Sequence, residues 1–152
     1  TDILYTISVI KKKILDMDIQ VGSRLPAHCT AMGKVLLAFG PPEKVRDVLQ
    51  RMDFKKMNDR TITSPQRFLK ELKQVRQMGY ALSDEEVAVG NRSIGAPLLD
   101  ENGHAFAAIA AATPSESYSI ERLKKEVAPP LLACAQKIST AMKQIRQKTD
   151  SV

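Results

Sequence analysis

The sequence predicts an α+β domain in which helices flank a mainly antiparallel sheet. Hydrophobic residues alternate along some segments and recur every three to four positions along others, so strands and helices are interleaved. The predicted order is two strands, three helices, three strands and a long terminal helix. A chain of 152 residues suits one domain, which would bury about 70% of its unfolded surface.

The N-terminal part is predicted to form a strand hairpin followed by a helix. Apolar residues dominate 2–10 and 14–19, and Lys11–Lys13 between them suit a hairpin turn. The helix is predicted to begin either at Pro26 or after a cap at Thr30, and to end at the glycine of FGPP.

The remaining elements carry clearer local signals. Residues 64–79 predict a helix, because a serine cap and a proline open the segment and a glycine closes it. Segments 91–99 and 104–112 flank DENG and predict a hairpin with arms rich in alanine and glycine. A last helix is predicted over 119–147, with a kink or a break at its proline pair.

The composition argues against several functions for this domain. The net charge is +6, but the basic residues are spread over every predicted helix, aromatic residues are 5% and tryptophan is absent. We therefore expect no nucleic-acid surface on the domain itself. No apolar run reaches the roughly 18 residues that span a membrane, and we expect a cytoplasmic protein. Cys29 and Cys134 are predicted to be reduced and buried, because disulfide frameworks and zinc sites use more cysteines at closer spacing.

Two motifs within LPAHCTAMGKVLLAFG, residues 25–40, do not meet the requirements of their chemistry. A Walker phosphate loop needs a glycine where this chain has His28 and a hydroxyl residue where it has Val35. A nucleophile–base pair of Cys29 and His28 is also disfavoured, because neighbours on a helix point about 100° apart. Cys29 is instead expected to be a buried thiol.

The acidic run Asp84–Glu86 raises the alternatives of a metal site or acid–base catalysis. Either would need convergent partners, and the chain has only two histidines, His28 and His104. We favour a solvated acidic turn, or a cap for a neighbouring helix, with Arg92 as a partner for its charge. We therefore expect that the protein has no metal site and no cofactor and that it is not an enzyme.

Small residues at the start of the 25–40 helix leave room for a ligand. Ala27, Ala31 and Gly33 would let a molecule approach the helix N-terminus, where free N–H groups bind anions. Placed against alanine-rich strands, this arrangement would form a cavity for a small carboxylate. Plain tight packing of the helix on the sheet explains the same composition, and the residues alone leave both interpretations open.

Three motifs carry a resemblance to a known family. LPAHCTAMGKVLLA, VRQMGYALSDEE and VGNRSIGAPLLDENG with AAIAA resemble, in this order, the effector-binding domain of IclR-type bacterial transcriptional regulators. The resemblance covers the whole chain, 1–152, and implies a GAF-like curved sheet. It further implies an N-terminal winged helix-turn-helix domain that is absent from this chain. Family members form homodimers or homotetramers and bind operator DNA through that other domain.

The resemblance also implies where an effector would bind. The positions that match the family's pocket are Leu25, Ala27, His28, Ala31, Met32, Gly33, Ser83, Asn91, Ser93, Ala110 and Ala112. Family members that bind small oxo-acids often have serines at the positions of Ala110 and Ala112. Their absence makes the pocket floor more apolar, and the pattern looks closer to the branch that regulates aromatic-acid catabolism. We therefore expect a small carboxylate effector, possibly an aromatic acid, with no catalysis.

Rival interpretations remain at this level. The domain would otherwise be mainly an oligomerisation module without a dedicated ligand, or an enzyme that uses His28, Cys29 or Asp84–Glu86. Asn91 replaces the bulky aliphatic residue common in the family, and it either hydrogen-bonds the effector or faces solvent.

Overall fold

The protein, described here from a computed structural model, has the predicted α+β architecture. The structure describes residues 1–9 and 19–149. Strands β1 (Asp2–Leu4) and β2 (Arg24–Pro26) form a small antiparallel sheet, with Ile3 opposite Leu25.

The N-terminal hairpin differs from its prediction. Of the described residues 2–9 of the first predicted strand, Asp2–Leu4 form β1, and their partner is β2. The Lys11–Lys13 turn and residues 14–18 of the other predicted strand lie outside the described residues. The missed pairing joins segments about twenty residues apart, and periodicity along one segment carries no information about such a partner.

Three helices follow β2. A 3-10 turn at Ala27–Cys29 leads into α1 (Ala31–Ala38), and α2 (Pro42–Gln50) and α3 (Pro65–Met78) come next. Of the two predicted starts, the cap at Thr30 is confirmed, because its side chain accepts a hydrogen bond from the Gly33 N–H at the start of α1. The start at Pro26 is wrong, because Pro26 ends β2 and only a separate 3-10 turn follows it. The local signals at α3 are confirmed: the Ser64 side chain accepts a hydrogen bond from the Arg67 N–H, and Gly79 ends the helix at a φ of 82°.

The second sheet has the order β3 (Ala81–Asp84), β4 (Asn91–Leu99), β5 (Ala105–Pro114), and all its pairs are antiparallel. The β4–β5 hairpin confirms the prediction made from DENG. Its register is regular from Asn91 opposite Pro114 up to an irregularity at Leu98/Leu99.

The terminal helix is continuous through its prolines. Helix α4 (Ile120–Arg122) passes into a π-helical segment (Leu123–Val127) and then into α5 (Ala128–Thr149). The N–H of Ala128 reaches back to the Leu123 carbonyl oxygen, and the next two residues, Pro129 and Pro130, have no N–H to donate. The predicted break is therefore a wide π turn that precedes the prolines.

The sheet β3–β4–β5 separates two helical layers. Ile94, Ala96 and Leu98 point towards the terminal helix and are buried there against Leu123, Ala128 and Ala135. The alternate residues of the same strands face α1, behind which lies a core that includes Val35, Phe68 and Leu72.

The two cysteines differ in their exposure. Cys134 is exposed on α5, so its predicted burial is wrong, whereas Cys29 is buried as predicted.

Within residues 1–9 and 19–149, no helix combines the length and apolarity that crossing a bilayer requires.

Candidate functional site

The 3-10 turn at Ala27–Cys29 packs closely against the first turn of α1. The Thr30 hydroxyl accepts a hydrogen bond of 3.1 Å from the Gly33 N–H. A Cβ atom on Gly33 would overlap the backbone of Ala27, so only glycine fits this position. Because Thr30 occupies the Gly33 N–H, the first turn of α1 keeps two N–H groups, those of Ala31 and Met32, with no acceptor among the described residues.

A second glycine lets α1 rest directly on the sheet. A Cβ atom on Gly95 of β4 would stand 2.9 Å from the carbonyl carbon of Ala31 and 3.1 Å from the nitrogen of Met32. The backbone of the first helical turn therefore contacts the backbone of the central strand, without side chains between them. This contact brings the Met32 N–H and the Ala31 carbonyl group to the sheet.

Several predicted site residues lie on the same face of the sheet as the contact between α1 and Gly95. Ser83, Ser93 and Ala112 lie side by side in one row across the three strands, and Gly95 and Ala110 lie in the next row. Residues two apart on a strand share a face, so Asn91 belongs to it as well. We call this set the α1-facing surface: Ser83, Asn91, Ser93, Ala110 and Ala112.

The α1-facing surface is open at β5 and closed at β3. Ala110 and Ala112 are exposed, and Asn91 and Ser93 are half-buried. Neither the Ser93 hydroxyl nor the Asn91 side-chain amide has a hydrogen-bond partner among the described residues. Ser83 is buried and donates a hydrogen bond of 2.8 Å to the Cys29 carbonyl oxygen, so its hydroxyl hydrogen is committed to the fold.

The remaining predicted residues divide into two groups. Leu25 and Met32 are half-buried and pack against the core that includes α1, next to the buried Ala27 and Ala31. His28 points elsewhere, because its ring packs 5.4 Å from the Phe54 ring and its Nε2 lies 3.0 Å from the Lys55 carbonyl oxygen. The structure thus brings together the α1 residues and the strand residues, and it places the His28 ring against the loop after α2.

The chemistry of His28 and Cys29 follows from their burial. Burial lowers the pKa of His28, although the hydrogen bond to Lys55 opposes this change. Burial also raises the pKa of the Cys29 thiol to about 11. A thiol with this pKa is protonated at neutral pH and is a poor nucleophile, which agrees with the interpretation of Cys29 as a buried thiol.

Sequence reasoning missed a buried lysine. Lys34 is 1% exposed, and its ammonium group donates to the Glu86 carboxylate at 2.5 Å, the Leu82 carbonyl oxygen at 2.9 Å and the Glu71 carboxylate at 3.2 Å. A signal was present: Lys34 follows Ala31 by three residues and precedes Ala38 by four, so helical periodicity places it on the buried side.

The acidic run is a set of ion pairs. The prediction of a solvated turn is wrong for Glu85 and Glu86, which are both buried. The predicted partner Arg92 is confirmed, since its Nε lies 2.5 Å from Asp84 and its Nη2 lies 3.6 Å from Glu85. Burial raises the pKa of the Glu86 carboxyl, while the Lys34 ammonium opposes that effect.

Two surface cavities lie away from the α1-facing surface. One, of about 490 Å³, contains Lys34, Glu71 and Glu86 in its wall. The other, of about 430 Å³, lies along the outer side of α5 beside Ala133 and Ala141. None of the residues predicted to bind an effector lines either cavity.

Comparison with known proteins identifies the chain. Residues 1–140 match the family described as the bacterial transcriptional regulator IclR C-terminal domain. The Pca regulon regulatory protein of Pseudomonas putida is 36% identical over 135 residues, which are 88% of this chain and 46% of that protein. These proteins regulate transcription and are not enzymes. The chain belongs to the IclR family and corresponds to the C-terminal domain of its members.

Solved structures agree with this assignment. The C-terminal domain of the Escherichia coli transcriptional regulator KdgR is 39% identical, with a TM-score of 0.74, over 81% of this chain and 74% of that chain. The inducer-binding domain of the PobR transcription factor from Acinetobacter, a double mutant in complex with 3-hydroxybenzoic acid, is 31% identical. Its TM-score is 0.70, over 84% of this chain and 73% of that chain. The chain spans about half the length of the curated relatives it matches.

Proposed function

We propose that this domain binds a small carboxylate on the α1-facing surface and thereby regulates the protein that contains it. One observation carries the proposal: the Met32 N–H, which like the Ala31 N–H has no acceptor among the described residues, meets the sheet at Gly95, beside small side chains. The start of a helix attracts anions because of these N–H groups and the helix dipole. The carboxylate would accept hydrogen bonds at the N-terminus of α1, and the rest of the effector would lie over the alanines of β5.

An aromatic acid fits this surface better than a small oxo-acid. Ala110 and Ala112 offer methyl groups to a ring and no hydroxyl to an oxo group. Leaving a buried polar group of the ligand unpaired costs about 1–3 kcal/mol. One relative supports the same class, since the double mutant of the PobR inducer-binding domain is in complex with 3-hydroxybenzoic acid.

The regulatory role extends the proposal to the whole protein. We propose that the chain acts as a single effector-binding domain, that an N-terminal winged helix-turn-helix domain binds operator DNA, and that the protein is a cytoplasmic homodimer or homotetramer. The effector would favour one of two arrangements of the oligomer, and it acts only through its different affinities for the two.

Calorimetry with 3-hydroxybenzoate, benzoate, pyruvate and glyoxylate tests the ligand class. We expect 3-hydroxybenzoate to bind at least about tenfold more tightly than pyruvate, a difference of about 1.4 kcal/mol. The substitution Ala112→Glu should abolish binding, because it puts a carboxylate where the effector lies. Ala133→Glu, the same change at an exposed position on α5, is the matched control and should bind normally. Absence of binding below millimolar concentration for all four acids would contradict the proposed ligand class.

A second candidate function is oligomerisation without a dedicated ligand. The observation that favours it is the long terminal helix α5, whose outer side carries the 430 Å³ cavity beside Ala133 and Ala141. This alternative predicts a ligand-independent dimer by light scattering and no change of melting temperature with any of the four acids. The effector proposal predicts a rise in melting temperature with the acid that binds.

A further inference from the structure

Helix α1 contacts the sheet through small residues, whose contacts do little to fix the orientation of the helix. Gly33, Ala31 and Gly95 meet through backbone atoms and methyl groups. Such contacts depend on close approach and have little directionality. On its other side α1 buries Val35 in the core with Phe68 and Leu72, and polar contacts add directional constraints to this packing.

Two polar contacts join this region to adjacent residues of β3. The Ser83 hydroxyl donates to the Cys29 carbonyl oxygen at 2.8 Å, just before the helix begins. The Lys34 ammonium donates to the Leu82 carbonyl oxygen at 2.9 Å, one turn into the helix. Together they fix the helix at two points along its axis.

Lys34 also ties α1 to two other parts of the fold. Its remaining hydrogen bonds reach Glu71 on α3 and Glu86 in the β3–β4 connection. A lysine ammonium has three hydrogens to donate, and all three are used here in different directions. The Glu86 segment is itself held by the Thr61 hydroxyl, which donates to the Glu86 carbonyl oxygen at 2.8 Å. The lysine therefore bonds to a frame that is fixed independently.

We propose that Lys34 is a positioning residue for the effector site, holding the first turn of α1 so that the Met32 N–H stands over Gly95. The inference rests on the proposed function for its consequence in binding. Lys34 lies three residues after Ala31, one turn along the same side of the helix. Its hydrogen bonds therefore constrain the first turn, and binding groups need to be held within about 0.5 Å of their working geometry.

The charges of Lys34, Glu71 and Glu86 determine which substitutions leave the protein folded. One ammonium serves two carboxylates, and Glu86 Oε2 has no hydrogen-bond partner among the described residues. Removing Lys34 alone leaves the buried Glu86 carboxylate without a cation beside it, which is expected to destabilise the protein strongly. Replacing both members of the pair with apolar residues of similar size removes the directional contact without leaving a buried charge.

The double variant Lys34→Met/Glu86→Met is therefore the test, with two measurements. In the ligand-free protein, NMR reports the nuclear Overhauser contact between the Met32 amide hydrogen and the Gly95 α hydrogens. We expect the variant to melt cooperatively but to lose or weaken this contact, with shifted amide signals for Ala31 and Met32. We also expect its affinity for 3-hydroxybenzoate to fall about tenfold or more, as when a hydrogen bond to a charged group is misplaced.

Arg60→Gln is the matched control. Arg60 lines the same cavity and pairs with Asp84 and Glu85, and it makes no ion pair with the lysine cluster. The control should leave the Met32–Gly95 contact and the affinity unchanged. A folded double variant that keeps this contact and the wild-type amide signals would overturn the proposal. If wild-type protein fails to bind 3-hydroxybenzoate, the proposed ligand class is wrong, and the ligand-free NMR measurement still decides the role of Lys34.

Discussion

The two faces of the β3–β4–β5 sheet consist of alternate residues from the same strands, but one is filled and the other is open. Towards the terminal helix, Ile94 and Leu123 are fully buried. Towards α1, the middle of the sheet carries Ser83, Ser93 and Gly95, and Ala110 and Ala112 remain exposed. A single hairpin thus separates a packed layer from a surface of small side chains.

This difference separates stability from recognition. Burial of large aliphatic side chains contributes about 1.5–3 kcal/mol each, and among the residues of the sheet this term belongs mostly to Ile94 and Leu98 on the terminal-helix face. The α1 face gives up side-chain volume, so backbone groups become approachable. We therefore expect substitutions on the first face to change stability, and substitutions on the second to change ligand binding.

The largest expected effect on stability comes from the packed face. Leu123→Ala should lower the free energy of unfolding by about 2–5 kcal/mol, because it leaves a cavity under Ile94. Urea denaturation measures this loss. Under conditions where the variant is fully folded, calorimetry should give wild-type affinity for the acid that binds. A loss of affinity in the folded variant would show that the two faces are coupled.

Gly95→Ala should act on both properties. Its methyl group would stand 2.9 Å from the backbone of Ala31, and a backbone cannot move aside as a side chain can. We expect a loss of about 1–3 kcal/mol in unfolding free energy together with loss of ligand binding. Ala110→Val adds bulk at the neighbouring exposed position and should cost less stability. Equal losses from the two substitutions would contradict the close approach of α1.

A smaller effect concerns pH and His28. Burial lowers the pKa of His28 in the folded state, so the unfolded chain binds a proton more readily. The stability that neutral His28 contributes is present above its ordinary pKa of about 6.5 and is lost as the pH falls from there towards the lowered value. His28→Gln should flatten the decline in melting temperature over this range. An unchanged pH profile would show that other groups cause the acid sensitivity.

The smallest expected effect on stability accompanies a change of selectivity. Ala110→Ser/Ala112→Ser adds hydroxyls at exposed positions, and we expect the unfolding free energy to change by less than about 0.5 kcal/mol. The ratio of affinities should move towards pyruvate and away from 3-hydroxybenzoate, as calorimetry would measure. An unchanged ratio would show that these positions do not contact the ligand.

Structural features that depend only on neighbouring residues could be predicted from the sequence. The cap at Ser64 and the glycine that ends α3 are local, and so is the turn that joins β4 to β5. The shared face of Ser83, Ser93 and Ala112 came from family resemblance, and the register confirms that they lie side by side. Whether they bind an effector stays a prediction.

Features that depend on distant partners could not be predicted. The pairing of β1 with β2 joins segments separated by a stretch with its own strand pattern. The burial of Glu86 depends on Lys34, which is 52 positions away, and a run of acidic residues ordinarily indicates a solvated turn. Cys134 has the periodicity of a buried position, but the π turn before α5 changes the phase of the helix.

Titration of the labelled domain with 3-hydroxybenzoate, followed by amide NMR, shows directly whether the acid binds on the α1-facing surface. We expect saturable shifts at Ala31, Met32, Ser93 and Ala112, with the amides of Ile94, Leu98 and Ala135 much less affected. The contrary result is a saturable set of shifts centred on the terminal helix or on the Lys34 cavity, with the α1-facing surface unchanged. That result would place recognition elsewhere in the domain and leave the small-residue face as packing alone.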